Sequence, residues 1–142
     1  MDWLSAFEGN WRLYREIEDA RAGQELIFEG QARLISDGAG LTYIEDGRWT
    51  KSAWGGMSAS RKLLWRLTDD KLAVLYADGR AFHSFTPSTD GVSESGHDCT
   101  PDRYDVTYRF DLPEIWEAEW RAKGPAKDYI SLTRYDRGPP ET

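Results

Sequence analysis

Cysteine occurs once in the chain, at Cys99, and histidine twice, at His83 and His97. A single thiol excludes an intramolecular disulfide and any thiolate cluster. A four-ligand zinc site would have to draw on His83, His97, Cys99 and Asp102, which form no tight ligand motif, so no metal is expected. Long apolar runs are missing as well: no stretch approaches 18 apolar residues, which rules out a spanning helix. The start, Met1-Asp2-Trp3-Leu4-Ser5-Ala6-Phe7-Glu8, has neither a basic region nor an apolar run. No signal peptide is therefore expected, and a soluble, cytoplasmic protein follows as the expectation. Basic residues are the minority, 18 Lys and Arg against 25 Asp and Glu, for a net charge of −7. That argues against a general surface for nucleic acid or anionic membrane.

Aromatic residues are abundant, with seven Trp, seven Tyr and five Phe. Leaving so much aromatic surface in water is costly, which speaks against disorder. The length of 142 residues fits one domain, with a core over about 7–137. The end, from Arg137 to Thr142, reads as a frayed tail.

Helical periodicity is confined to residues 2–8, where Asp2 can cap a short helix with Leu4 and Phe7 on its buried side. From Gly9 onward the period is two. Trp11, Leu13, Arg15 and Ile17 share a face, and Asp19 to Gln24 forms a charged turn. Leu26, Phe28, Gly30, Ala32 and Leu34 form the next apolar face, with Gly30 marking a bulge or bend. Leu41 to Glu45 is a third strand, which Asp46-Gly47 is predicted to close as a hairpin turn. Trp49 to Met57 reads as loop. Alternation resumes over 59–68 and through Leu72, Val74 and Tyr76, with turns at Asp69-Asp70 and Asp78-Gly79. Ala81 to Phe85 is a short strand and 92–98 a weakly patterned edge strand. Tyr104, Val106, Tyr108 and Phe110 give the clearest alternation. Trp116, Ala118 and Trp120 follow, then a break at Gly124-Pro125 and a last strand over 128–135. Nine or ten short strands with no βα alternation predict an all-β fold. Consecutive hairpins favour a single antiparallel up-and-down β-barrel, closed so as to remove its edges.

Gly9-Asn10-Trp11 matches a Gly-x-Trp pattern at the entry to the first strand, and Arg134 lies in the last one. Together they resemble the lipocalin-like, or calycin, barrels, and the resemblance implies that Arg134 stacks on Trp11. Further pieces are Tyr43-Ile44-Glu45, Asp78-Gly79-Arg80, Phe82-His83, His97-Asp98-Cys99, Asp102-Arg103-Tyr104 and Gly124-Pro125-Ala126-Lys127-Asp128-Tyr129. In this order, over residues 7–137, the chain resembles the uncharacterised bacterial domain-of-unknown-function family 6314. That resemblance implies a lipocalin-like fold and carries no activity.

Charged residues on apolar strand faces are the main functional signal. Arg15 shares a face with Trp11 and Leu13, Glu45 with Tyr43, and Arg61 with Leu63 and Trp65. If those faces line a barrel, two arginines against one glutamate leave positive charge inside, fitting a carboxylate or phosphate. The alternative is a structural Arg–Glu–Arg network without a ligand. Tyr43, Trp65, Tyr108 and Trp120 would form the aromatic wall of such a cavity. His83 and His97 would lie toward its polar end, and Tyr104 and Tyr129 would offer hydroxyls. Arg80 and Lys127 are candidates for the mouth, with surface ion pairs as the simpler alternative.

The favoured function is binding of a small amphipathic or anionic ligand in the barrel. One alternative is a small-molecule enzyme with a histidine general base, its catalytic candidates being His83, His97, Cys99, Asp102 and Tyr104. No Ser-centred nucleophile elbow is present. A protein-interaction module is the other alternative, with Trp3, Trp49 or Trp54 covering an opening or forming a dimer face. No cofactor is required, although haem or a metal through His83 or His97 stays open. The expected state is a monomer or homodimer.

Overall fold

The computed structural model describes residues 2–53 and 55–138. Trp54 and the tail residues 139–142 lie outside the described residues. Helix α1 (Trp3–Phe7) is a single turn, capped by the Asp2 carboxylate, which accepts from the Ser5 backbone and hydroxyl. Ten antiparallel strands follow. They are β1 (Gly9–Asp19), β2 (Gln24–Ser36), β3 (Leu41–Lys51), β4 (Ser58–Thr68) and β5 (Lys71–Tyr76). The second half holds β6 (Ala81–Phe85), β7 (Val92–Cys99), β8 (Asp102–Asp111), β9 (Ile115–Gly124) and β10 (Lys127–Asp136).

Consecutive strands pair from β1 to β6 and from β7 to β10, and β1 also pairs with β10, so the sheet wraps round in the order β6-β5-β4-β3-β2-β1-β10-β9-β8-β7. The result is an up-and-down barrel that is nearly closed. At the remaining seam, between β6 and β7, side-chain hydroxyls replace the backbone ladder. Ser95 Oγ donates to the Ser84 carbonyl at 3.2 Å, and the Thr86 N–H donates to Ser93 Oγ at 3.0 Å. Pro87, just past β6, has no N–H with which to extend a ladder.

Two expectations about β3 need correction. Asp46-Gly47 is not a turn: β3 runs through it to Lys51. Gly47 pairs with Gly30 of β2, and a Cβ on Gly30 would lie 2.0 Å from the Asp46 carbonyl oxygen. The glycine pair lets the two backbones approach where long strands must coil around a narrow barrel. Trp49 accordingly lies on β3, edge-on to Phe28 at 5.2 Å, and Trp3 packs on the core from α1.

α1 closes the barrel base. The fully buried Phe7 ring makes edge contacts with Trp65, Phe85, Phe110 and Trp116 at 5.2–6.2 Å. Its carbonyl accepts the Trp11 indole N–H at 2.8 Å. The arginine on Trp11 is Arg137, 3.5 Å above the ring, and not Arg134. Strand alternation explains the difference: Thr133 and Tyr135 are buried, so Arg134 between them points to solvent. Arg137, past the end of β10, reaches under the base and donates to the carbonyls of Ala6, Glu8, Asn10 and Pro113. No helix among the described residues is long and apolar enough to cross a membrane.

Candidate functional site

Because α1 and the rings around Phe7 fill the base, the space left in the barrel lies toward the opposite end. A cavity of about 610 Å³ occupies it, within the range of small-molecule sites. Inward-facing positions of most strands line it, as period-two alternation requires.

On the β1–β4 wall the site is polar. Arg15 donates to both oxygens of Glu45, at 2.9 and 2.8 Å, and through Nε to Thr133 Oγ1 at 2.7 Å. Tyr43 donates to Glu45 Oε1 at 2.6 Å, and its hydroxyl lies 2.8 Å from that of Tyr135. Burial by itself raises the Glu45 pKa, but the hydrogen bonds and charge of Arg15, helped by Arg61 and Tyr43, outweigh it and hold the carboxyl at about 2. Burial disfavours the Arg15 cation, and the Glu45 hydrogen bonds and charge more than compensate, so its pKa is raised. Burial likewise pushes the Tyr43 phenol well above its usual range.

Arg61 is held differently. Its guanidinium comes no nearer to Glu45 than 3.6 Å, and its side chain is 46 % exposed against 14 % for Arg15. One bidentate pair thus satisfies the carboxylate, and Arg61 keeps a half-exposed guanidinium on a cavity wall that also holds the Asp19 carboxylate.

Across the cavity, His83 Nε2 lies 2.6 Å from the Tyr108 hydroxyl. Burial, reinforced by the positive charge of Arg61 and by His97, lowers the His83 pKa to about 3, so the ring is neutral. At the mouth, Phe82 stacks between Tyr76 at 4.8 Å and Trp120 at 5.3 Å. A register shift between Val74 and Leu75 interrupts the β5–β6 ladder beside this stack, and Phe82 lines the cavity together with its neighbour His83.

Eleven of the residues singled out in the sequence line this one cavity: Arg15, Tyr43, Arg61, Trp65, His83 and His97, with Cys99, Tyr104, Tyr108, Trp120 and Tyr129. Glu45 is buried behind Arg15 and forms none of the wall. Arg80, Lys127 and Asp102 are also absent from the wall. Arg80 pairs with Asp78 at 2.7 Å and covers the outer face of Tyr76. Lys127 reaches the Tyr104 hydroxyl and sits 3.5 Å from Asp102. Among the described residues no three His, Cys, Asp or Glu side chains gather into a group able to hold a metal. Thr133, Tyr135, Trp116 and Phe82 were missed as wall residues. Trp116 shares the alternating face of Ala118 and Trp120, so its inward direction was legible. On β10 the apolar Ile130 and Leu132 alternate with Ser131 and Thr133, and it is the polar pair that is buried, which periodicity alone would have reversed. Phe82 was hidden because only the register shift reveals its position.

Similarity to known proteins agrees with this architecture. An S-type phycobiliprotein lyase from Guillardia theta superposes with a TM-score of 0.68 at 14% identity, over 99% of this chain and 93% of that one. A redesigned β-barrel, mFAP1, solved bound to DFHBI, gives 0.52 at 13% identity, over 94% and 97%. A protein of unknown function from Nostoc punctiforme, of the DUF3598 family, gives 0.59 at 11% identity, over 93% of this chain and 47% of its own. No curated protein matches the sequence. The family of unknown function DUF6314 matches residues 7–137, and the chain belongs to that family.

Proposed function

We propose that this DUF6314 protein is a carrier that binds one small amphipathic anion, a carboxylate or phosphate, inside its barrel. The observation that carries the reading is Arg61, half-exposed on the wall of a 610 Å³ cavity while Arg15 is spent on Glu45. A cation already neutralised by a bidentate partner gains little from a ligand; one without such a partner gains a charge-assisted contact. Aromatic side chains around it supply the apolar surface that an amphipathic body would cover. Barrels of this architecture bind small molecules, as mFAP1 binds DFHBI, which supports the class of function and leaves the ligand to this chain's own residues.

An enzymatic reading would use His83 as general base beside Tyr108. A histidine whose pKa lies at about 3 is a weak base at neutral pH, which favours the carrier. The proposal is tested by native mass spectrometry and titration with dodecanoate and with dodecanol. A 1:1 dodecanoate complex, at least fivefold tighter than the alcohol, is expected. Equal affinity for acid and alcohol, or no 1:1 complex, would overturn it.

A further inference from the structure

β10 turns its hydroxyl-bearing side chains inward. Tyr129, Ser131, Thr133 and Tyr135 all line the cavity, while Ile130 between the first two is 37 % exposed on the outer face. A one-residue slip would exchange the two faces, so this register forgoes the apolar burial of Ile130 and Leu132. Two of the hydroxyls have work within the protein. Tyr43 gives its only hydrogen to Glu45, so Tyr135 is the donor in the Tyr43–Tyr135 hydrogen bond. Thr133 accepts from Arg15 Nε.

Ser131 has no such task. It is 8 % exposed, and its hydroxyl has no hydrogen-bond partner among the described residues. The unpartnered indole nitrogens of Trp65 and Trp116 are sealed from any probe, but the Ser131 oxygen keeps accessible surface, and the side chain aims it into the cavity. Alanine would fill the same stretch of wall. A hydroxyl there, one donor with two acceptor lone pairs, is a contact point for whatever the cavity holds.

Its position relative to the cation defines the contact. Ser131 is the next inward residue from Thr133, roughly 7 Å along the strand toward the mouth. Arg15 joins Thr133 to Glu45, and Arg61 stands 3.6 Å from that same carboxylate. The charge of Arg61 also restrains the rise of the Tyr129 and Tyr135 phenol pKa values, so its guanidinium is felt on β10 at both ends of the hydroxyl stripe. Asp19, opposite Tyr129 in the β1–β10 ladder, puts negative charge beyond Ser131 toward the mouth and so favours an anion at Arg61.

Resting on the carrier reading, we infer that the ligand is an oxygenated acid: its anionic group meets Arg61, and a second oxygen, a hydroxyl or carbonyl within a few bonds of that group, hydrogen-bonds Ser131. The rest of its body lies along the aromatic wall.

Three acids of one chain length test this: dodecanoate, 3-hydroxydodecanoate as its separate enantiomers, and 12-hydroxydodecanoate, the isomer with its oxygen at the far end. Titration calorimetry on the intact protein should show the better 3-hydroxy enantiomer binding about fivefold tighter than dodecanoate, the usual worth of one added hydrogen bond. The 12-hydroxy isomer should bind no tighter than dodecanoate, since its oxygen does not reach Ser131. Ser131→Ala, with folding checked by circular dichroism, should bring the ratio of 3-hydroxydodecanoate to dodecanoate affinity close to one. The wild-type comparison needs no variant. Equal affinity for all three acids, a gain for the 12-hydroxy isomer, or a ratio that Ser131→Ala leaves unchanged would overturn the inference and leave the carrier reading intact. Binding of none of the three at millimolar concentration would overturn both.

Discussion

Arg15 and Glu45 meet inside the barrel through two parallel hydrogen bonds of 2.9 and 2.8 Å, with Thr133 and Tyr43 taking up further polar capacity. β1 and β3 supply the two residues, with β2 between them, so the pair ties three consecutive strands together. Removing one partner leaves the other charge buried without compensation. Glu45→Gln is expected to cost about 3–5 kcal/mol in urea unfolding, whereas replacing both by Met should recover most of that loss. A double variant no more stable than the single would show that the pair is not the source.

The same carboxylate gives an acid-side signature. Its pKa is about 2 in the folded chain against 4.5 for an unperturbed glutamate, so the unfolded state binds the proton first as pH falls. The stability it contributes is complete above pH 4.5 and is lost between there and pH 2. The Glu45→Gln variant should show a shallower fall over that window when unfolding midpoints are compared.

His83 acts over a higher range. Its folded pKa of about 3 lies below the ordinary 6.5, so protons favour the unfolded chain between those values. Its contribution is complete above pH 6.5 and declines as pH falls through the window toward 3. From pH 7.5 to 5.5 the expected loss from this group is about 1.4 kcal/mol. His83→Phe should flatten that segment of the profile; an unchanged slope would assign the loss elsewhere.

Arg137 and Arg134 form an internal control. Arg137→Ala removes the cation stacked on Trp11 and four hydrogen bonds to carbonyls at the barrel base, and should cost about 2 kcal/mol. Arg134→Ala, on the outer face, should stay within about 0.5 kcal/mol of wild type. Thermal melts of the two variants decide between them.

Gly47 tests the strand coiling. A Cβ there would lie 2.5 Å from the Glu29 carbonyl oxygen and 2.7 Å from the Phe28 ring. Gly47→Ala is expected to destabilise by roughly 2–3 kcal/mol, through the backbone shift it forces. Gly55→Ala, whose nearest neighbour would be 3.9 Å away, serves as the comparison and should be close to neutral.

Much of the barrel was legible because alternation writes inward and outward positions into every second residue. Turns at Asp69-Asp70 and Asp78-Gly79 were readable for the same local reason. Asp46-Gly47 misled: the dipeptide carries a turn signal, and only its pairing with Gly30 across β2 and β3 reveals a close approach instead. Arg134 misled similarly, since a position in the last strand does not say which basic residue clears the strand end. At the site, alternation correctly brought Arg15, Tyr43 and Arg61 to one cavity. It could not say that Glu45 would be consumed by Arg15 and stand only 3.6 Å from Arg61.

By itself the sequence determined the architecture: nine or ten short strands in an antiparallel barrel, one capped helical turn and most of the faces that had to be buried. Those properties follow from local periodicity and turn chemistry. The tertiary structure alone decided which charges cancel, which indole N–H groups stay without partners and which arginine covers Trp11. Each depends on register between strands far apart in the chain, and no local pattern encodes a distance of 3 Å across a barrel.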